Sequence, residues 1–391
     1  MNIAVIGFGN AGGKIADAIL AFEARTGRSL CRDALAVNSA EVDLAKLEEI
    51  PKDRRLLVGQ THQQVKGRGV GADPELGAEV TRRDLGEVDR ALDSVPVHDI
   101  DAFLVVAGLG GGTGSGGAPV VADHLRDLYV EPVYGLGVLP SSEEGGRASL
   151  NAARSLQTFT QSVDNLILFD NDAWQQAGDS IESGYERTNT ELARRVTTLL
   201  GAGALDDSMV SEAAMDASDI NRTLSAGGIS TIAYASAELD RDSQSGLLDR
   251  LRTNGSGETD SADDAKKMHG LVRRAVRARL TCPAEVATAE RSLAVVSGPP
   301  SKLSRKGIEH SRQWLESQTE SVEVLAGDDP RKDAEQLSAA VLLSNVTSVP
   351  RVDALQEKAV DAKDHIQTEK SSRSEDVTEL ITDENNELDP I

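Results

Sequence analysis

The chain has 391 residues, 39% of them hydrophobic and 27% charged, which is enough for a sizeable core and more than one domain. Its net charge of −23 argues against non-specific nucleic-acid binding and adhesion to anionic membranes, and no run of 18 apolar residues marks a membrane span. Cys31 and Cys282 are isolated and the six histidines are scattered, so neither a disulfide framework nor a protein-built metal site is expected, and a reducing cytoplasm fits.

In chain order, MNIAVIGFGN lacks a basic region and a small-residue cleavage site, and is expected to be a first strand and not a signal peptide. NIAVIG, DALAVNS, RRLLVG, AFLVVAG, EPVYGLGVLP and NLILFDN are short runs rich in Val, Ile and Leu. Helical patterns such as GGKIADAILAFEA and EGGRASLNAARSLQTFTQSV lie between several of them. This alternation predicts an α/β unit over 1–178, a Rossmann-like, mostly parallel sheet covered on both faces. A long helix is predicted over 179–203, where Ile181, Tyr185, Leu192, Val196 and Leu199 recur near helical spacing before Gly201 and Gly203.

Residues 204–350 predict a smaller α+β domain. Its strands are GISTIAYASA, RSLAVVSG, VEVLAG and SAAVLLSNV; its helices are DDAKKMHGLVRRAVRARL and LSRKGIEHSRQWLESQ. The polar, Gly/Ser-rich segment 238–265 is expected to be a surface insertion, in which only GLLDRL is apolar. A last helix is predicted over 351–373. Residues 374–391 hold seven acids and no Lys or Arg, and disorder is expected there. Only twelve of the 41 basic residues are Lys, and such an acidic, Lys-poor chain suits a high-salt cytoplasm that screens like charges.

Two glycine-rich loops follow strands. GFGNAGGK satisfies G-x-G-x-x-G through Gly7, Gly9 and Gly12, and Asn10, Ala11, Gly13 and Lys14 complete the turn. A dinucleotide site would also need an acid at the end of strand two, where Asn38 and Ser39 stand. A P-loop would need Ser or Thr after GGK, where Ile15 stands. The second loop, GLGGGTGSGGAP (Gly108–Pro119), has seven glycines between a buried strand and a helix. Backbone N–H groups of Gly110, Gly111, Gly112, Gly114 and Gly116, with the hydroxyls of Thr113 and Ser115, can converge there on a phosphate at a helix N-terminus. A bulky residue at Gly114 is expected to fill that phosphate site. A third piece, KGRGVGADPELG, brings Gly71 towards a terminal phosphate.

GGGTGSG resembles the phosphate loop of the tubulin/FtsZ superfamily, and GFGNAGGK looks like that superfamily's first loop. FDNDAW then offers Asn171 for the guanine edge, GYERTN offers Tyr185 to stack on the base and Asn189 to bond it, and AMDASDINRTL offers the acids Asp216 and Asp219. VKGxGVGAD, VPVHDIDAFLVV and VPR before the last helix are similar to the haloarchaeal CetZ group. The resemblance implies GTP and GDP binding with Mg2+, hydrolysis by Asp216 and Asp219 acting on the next subunit's nucleotide, head-to-tail filaments, and control of cell shape, with division as the competing role. From its place after strand five, Glu144 is expected to accept from ribose hydroxyls. Self-association is the expected partnership, together with unidentified adaptor proteins. The tail lacks the apolar-basic peptide of FtsZ, so recruitment to a membrane through such a peptide is not expected, nor is direct insertion. Two other readings stay open: an NAD(P)-dependent oxidoreductase, and a GTP-binding regulator that never polymerises.

Overall fold

The computed structural model of the chain describes residues 1–175, 181–203, 214–239 and 257–361. The Val/Ile/Leu-rich runs become strands: β1 (Ile3–Phe8), β2 (Cys31–Asn38), β3 (Arg55–Leu57), β4 (Ala102–Gly108), β5 (Val133–Leu139), β6 (Asn165–Asp170), β7 (Ile229–Glu238), β8 (Ala289–Gly298), β9 (Glu323–Pro330) and β10 (Gln336–Val346). They form one sheet in the order β3-β2-β1-β4-β5-β6-β7-β10-β8-β9. The first six are parallel throughout. β10 runs antiparallel to β7 and β8. The parallel and mixed halves meet through two residue pairs, Leu166 with Ile229 and Ile167 with Ser230.

The helices are α1 (Gly9–Thr26), α2 (Glu41–Leu44), α3 (Pro74–Arg83), α4 (Leu85–Leu92), α5 (Thr113–Leu128), α6 (Gly145–Ser162), α7 (Asn171–Trp174), α8 (Ile181–Leu200), α9 (Ala217–Leu224), α10 (Gly257–Arg277) and α11 (Arg305–Gln318). A further helix covers 350–361. Alternation along the strands sorts the core into two layers. On one face Ala102, Leu104 and Val106 of β4 pack with Ile15 and Ile19 of α1 and Leu192, Val196 and Leu199 of α8. On the other, Phe103, Val105 and Ala107 pack with Val80 of α3, Val121 and Leu125 of α5 and Phe159 of α6. The same α8 face also covers Ile232 of β7 and Leu342 of β10, so the long helix underlies both halves of the sheet.

One boundary differs from the sequence reading. Helix α10 begins at Gly257, inside the segment expected to be an insertion. The apolar period that marks it starts only at Ala265, followed by Met268, Leu271, Val272 and Ala275, so its first two turns carry no such signal. The GLLDRL run, the second half of the 351–373 helix and the acidic tail lie outside the described residues.

Chain order reverses between β1 and β4. In a doubly wound sheet this is where the loops after two adjacent strands diverge and leave a crevice at the carboxyl ends.

Candidate nucleotide site

Both glycine-rich loops leave that crevice, after β1 and after β4. None of the seven glycines of Gly108–Pro119 has a positive φ, so conformational freedom does not explain them. Space does. A Cβ on Gly116 would collide with the carbonyl oxygen of Pro74 and lie 2.8 Å from the Ala78 nitrogen, and one on Gly112 would lie 2.6 Å from the Asp73 nitrogen. Helices α3 and α5 therefore pack backbone to backbone. At Gly12 a Cβ would strike the Val106 carbonyl oxygen, which places α1 directly on β4. Gly9 is the one left-handed residue of the first loop (φ 71°), and its missing side chain lets Gly114 approach. Gly111 differs from all of these: it is exposed, and nothing lies within 4 Å of a Cβ built on it.

A cavity of about 430 Å3 opens at this crevice. Its walls include Gly9, Asn10, Ala11, Lys14, Asn38, Gly71, Gly110, Gly111, Gly112, Thr113, Gly114, Glu144, Asn171, Tyr185 and Asn189, all expected from the sequence. Gly12, Gly13, Ser115 and Gly116 are not in the wall. Gly12 and Gly116 are the packing glycines just described, Gly13 faces Leu47, and the Ser115 hydroxyl donates to the carbonyls of Gly111 and Gly112. The expectation for Gly114 also needs correction. A side chain there would start 2.8 Å from the Gly108 oxygen and 3.0 Å from that of Phe8, pointing into backbone and not into the cavity.

Several contacts hold the wall in shape. The Asn151 amide donates to the carbonyls of Ala72 (3.1 Å), Gly110 (3.2 Å) and Gly111 (3.3 Å), tying the third loop to the second. The Asn38 side-chain oxygen Oδ1 accepts from the Ser39 nitrogen at 2.8 Å, and its buried Nδ2 has no partner, a donor aimed at a site lacking protein acceptors. Thr113 and Ser39 hydroxyls meet at 2.6 Å. Glu144 accepts from the Ser141 nitrogen at 2.8 Å and from the Tyr185 hydroxyl at 3.1 Å, which joins α8 to the loop after β5. Burial, then the Glu144 carboxylate, push the Tyr185 phenol up to about 12. The side-chain amides of Asn171 and Asn189 make no hydrogen bond among the described residues and are available to a ligand.

Sequence reasoning missed Asp43 and Arg68, which also line the cavity. It also missed Arg351, whose VPR motif gave a likeness but no role. Arg351 reaches from the 350–361 helix to the buried Asp170 at 3.0 Å and donates to the Pro140 carbonyl at 2.8 Å. Asp170 immediately precedes Asn171, and Pro140 lies four residues before Glu144. Burial holds the Asp170 carboxyl above its ordinary range, and Arg351 opposes that shift.

Asp216 and Asp219 are not in the cavity wall. They form a reciprocal capping box on α9: the Asp219 nitrogen donates to Asp216 at 2.9 Å and the Asp216 nitrogen to Asp219 at 3.4 Å. Burial leads the upward shift of the Asp219 carboxyl; the hydrogen bond from the Asp216 backbone nitrogen opposes it, and the Asp216 charge adds to it. Helix α9 sits at the amino ends of the parallel strands. Asn221 accepts from the hydroxyl of Tyr134 near the start of β5, and the Leu224 carbonyl accepts from Asn165, the first residue of β6. A strand of six residues separates that end from the cavity by about 20 Å.

The chain matches the family model "Tubulin/FtsZ family, GTPase domain" over residues 2–179, and "Tubulin-like CetZ, C-terminal domain" over 178–361. It is 52% identical to tubulin-like protein CetZ1 of Haloferax volcanii across 94% of both chains, and 51% identical to CetZ3 of the same organism across the whole of both. Among solved structures, the GDP-bound monomer of Haloferax volcanii CetZ1 superposes with a TM-score of 0.82 at 49% identity, covering 93% of this chain and all of that one. The GTPγS-bound protofilament of CetZ2 from that organism gives 0.81 at 39%, covering 94% and 100%. With the Asn38 position lacking the acid of a dinucleotide site, and with these matches spanning both halves of the sheet, the chain belongs to the CetZ family of tubulin-like proteins and carries its GTPase domain.

Proposed function

We propose that this protein binds and hydrolyses GTP and polymerises head to tail into cytoskeletal filaments. One observation carries the reading: the cavity gathers the expected phosphate, ribose and base residues at one end of the sheet, while the two expected catalytic acids stand about 20 Å away at the other. Asp219 cannot reach its own chain's terminal phosphate, but stacked copies bring the acid-bearing end of one over the cavity of the next. The interface is heterologous, so repetition gives an open filament. The GTPγS-bound protofilament of the relative CetZ2 supports this arrangement.

The base lies against Tyr185 between Asn171 and Asn189, Glu144 accepts from the ribose, and the backbone of Gly9–Ala11 and Gly110–Gly114 donates to the phosphates. The orphan amide of Asn38 and the amides of Asn171 and Asn189 suit such a ligand. A hard cation also fits. Asp43 is a carboxylate residue of the cavity wall, and among the described residues no group of three or more His, Cys, Asp or Glu is placed to hold a metal ion by itself. Mg2+ would take Asp43, directly or through water, with phosphate oxygens completing its shell. Asp216 and Asp219 of the neighbouring copy orient water at the terminal phosphate, a reaction governed by positioning and charge. Control of cell shape in a high-salt cytoplasm is the role that fits best, with adaptor proteins setting where filaments form. The division into residues 1–178, 179–203 and 204–350 describes the nucleotide unit, the connecting helix and the unit presenting the acids.

Hydrolysis per chain, measured against protein concentration, tests the reading. It should be negligible in dilute protein and rise steeply above a critical concentration. Asp219→Asn keeps an acceptor oxygen for the capping box, and should bind GTP and assemble yet hydrolyse slowly. Hydrolysis strictly proportional to protein down to the monomer range would leave a GTPase acting within one chain.

A further inference from the structure

Helix α7 is a single turn, and a single helical turn does not hold its own conformation in water. It carries Asn171 at one end and Trp174 at the other, closed by a bond from the Gln175 nitrogen to the Asn171 carbonyl at 3.1 Å. Whatever fixes Trp174 therefore helps to fix Asn171. Trp174 is 8% exposed and lies outside the cavity wall. Its indole stacks on Phe169 of β6 with ring centroids 5.5 Å apart, and its Nε1 donates to the Leu280 carbonyl at 3.1 Å. Two guanidiniums approach the same ring: Arg195 of α8 at 4.3 Å from the centroid, and Arg279, just past α10, at 5.1 Å. Arg195 is the more deeply placed. It is 5% exposed and also stands 5.4 Å from the ring centroid of Tyr234 on β7. Its Nη1 donates to the Glu191 carboxylate at 2.6 Å and to the Glu191 carbonyl at 3.0 Å, while its buried Nε has no partner among the described residues. Aromatic rings stand where water would otherwise solvate the cation. An apolar side chain of the same length would fill this space without an unsatisfied donor, so packing alone does not account for an arginine here.

The helix that supplies Arg195 also carries Tyr185 and Asn189. It grips α7 a second time through Arg187, whose Nη2 donates to the Trp174 carbonyl at 3.2 Å. The residues proposed for the base thus stand on two elements, α7 and α8, and the stack of Arg195 on Trp174 is where those elements are locked together. Resting on the proposed GTP site, we infer that Arg195 is a positioning residue: by holding Trp174 it sets the spacing between Asn171 on α7 and Asn189 on α8, and with it the preference for guanine over adenine. Two amides on separate elements discriminate between bases only while both are held at hydrogen-bond distance from the same ring, and a supporting contact that slackens loses the discrimination first. Tyr234 extends the stack to β7, so the antiparallel half of the sheet bears on the same lock.

The test uses the full chain as wild type, Arg195→Met and Arg195→Lys, each also combined with Asn171→Ala, with equilibrium binding of GTP and of ATP measured separately in the same buffer. Met keeps the length of the side chain without its charge, and Lys keeps the charge without the plane. Circular dichroism and melting establish that each variant is folded. Arg195→Met should bind GTP about fivefold to tenfold more weakly and ATP within about twofold of wild type, with Arg195→Lys between the two. In the Asn171→Ala background the same changes should weaken GTP by less than about twofold, because the residue they position is gone. A merely structural arginine would lower the melting temperature and leave the GTP-to-ATP ratio alone. If Arg195→Met does not fold, Arg195→Lys decides by the same two measurements. An unchanged GTP-to-ATP ratio in the folded variants, or losses that add fully to that of Asn171→Ala, overturns the inference and leaves the GTP site standing. A wild-type chain with no preference for GTP overturns the base assignment and the role of Arg195 together.

Discussion

Replacing Arg351 by Ala perturbs the nucleotide site from outside it. The Asp170 carboxylate is 2% exposed and takes its ion pair from Arg351 at 3.0 Å, with one further bond from the Asp172 nitrogen at 3.2 Å. Removing one partner of a buried pair leaves an uncompensated charge, at a cost of about 3–5 kcal/mol, a large share of the 5–15 kcal/mol typical of a domain. The Pro140 carbonyl loses its donor as well. Urea unfolding should therefore show a marked drop, and GTP affinity should fall because Pro140 and Asp170 lead into Glu144 and Asn171. The pH dependence has a definite sign. Asp170 titrates above its ordinary value in the folded chain, so the folded state holds that proton more tightly than the unfolded state does. Its contribution to stability is fully present in acid and is lost as pH climbs through the folded pKa. Without Arg351 the shift grows, so Arg351→Ala should regain more stability than wild type between pH 7 and pH 5. Asp170→Asn combined with Arg351→Ala should be less damaging than the sum of the two single changes. A loss under about 1 kcal/mol with additive behaviour would refute the buried-pair argument.

Gly111→Ala has room for its methyl and should leave stability within about 0.5 kcal/mol while weakening GTP, whereas Gly116→Ala, pressed against Pro74, should destabilise by about 1–3 kcal/mol or more; thermal melts with and without GTP separate the two. Asn189→Ala should cost about 1–3 kcal/mol of GTP binding and far less of ATP binding, and equal losses would point to damage in α8 instead. Given the charge of −23, light scattering after GTP addition should rise as KCl approaches molar levels, and assembly that is best at low ionic strength would contradict screening as the requirement.

The parallel half of the sheet was legible because strands buried on both faces read as continuous apolar runs, and the glycine loops because several adjacent positions without Cβ are rare. What the loops do was only half legible. Composition marks where backbone approaches something closely, but not whether that something is a ligand or another helix; Gly12 and Gly116 meet protein, and Gly111 meets open space. The proposed base residues were readable only through resemblance, since Asn171, Tyr185 and Asn189 form no local pattern. Arg68 and Arg351 were invisible for a different reason. Each depends on contacts or a vicinity brought about by the fold, in the case of Arg351 across 181 residues of chain, and no spacing encodes such a pairing.

The capping box of Asp216 and Asp219 has a consequence for association. Each acid commits one carboxylate oxygen to the first turn of α9 and keeps its other oxygen outside the box. Their rotamers are therefore fixed when the chain folds, before any second copy arrives. A docking surface whose proposed reactive groups are already immobile forfeits less rotamer freedom on contact than one that must order long side chains, each of which costs about 0.5–1.5 kcal/mol. In a filament this saving recurs at every junction, so a helix cap that stabilises one chain only modestly also lowers the entropic barrier to adding the next.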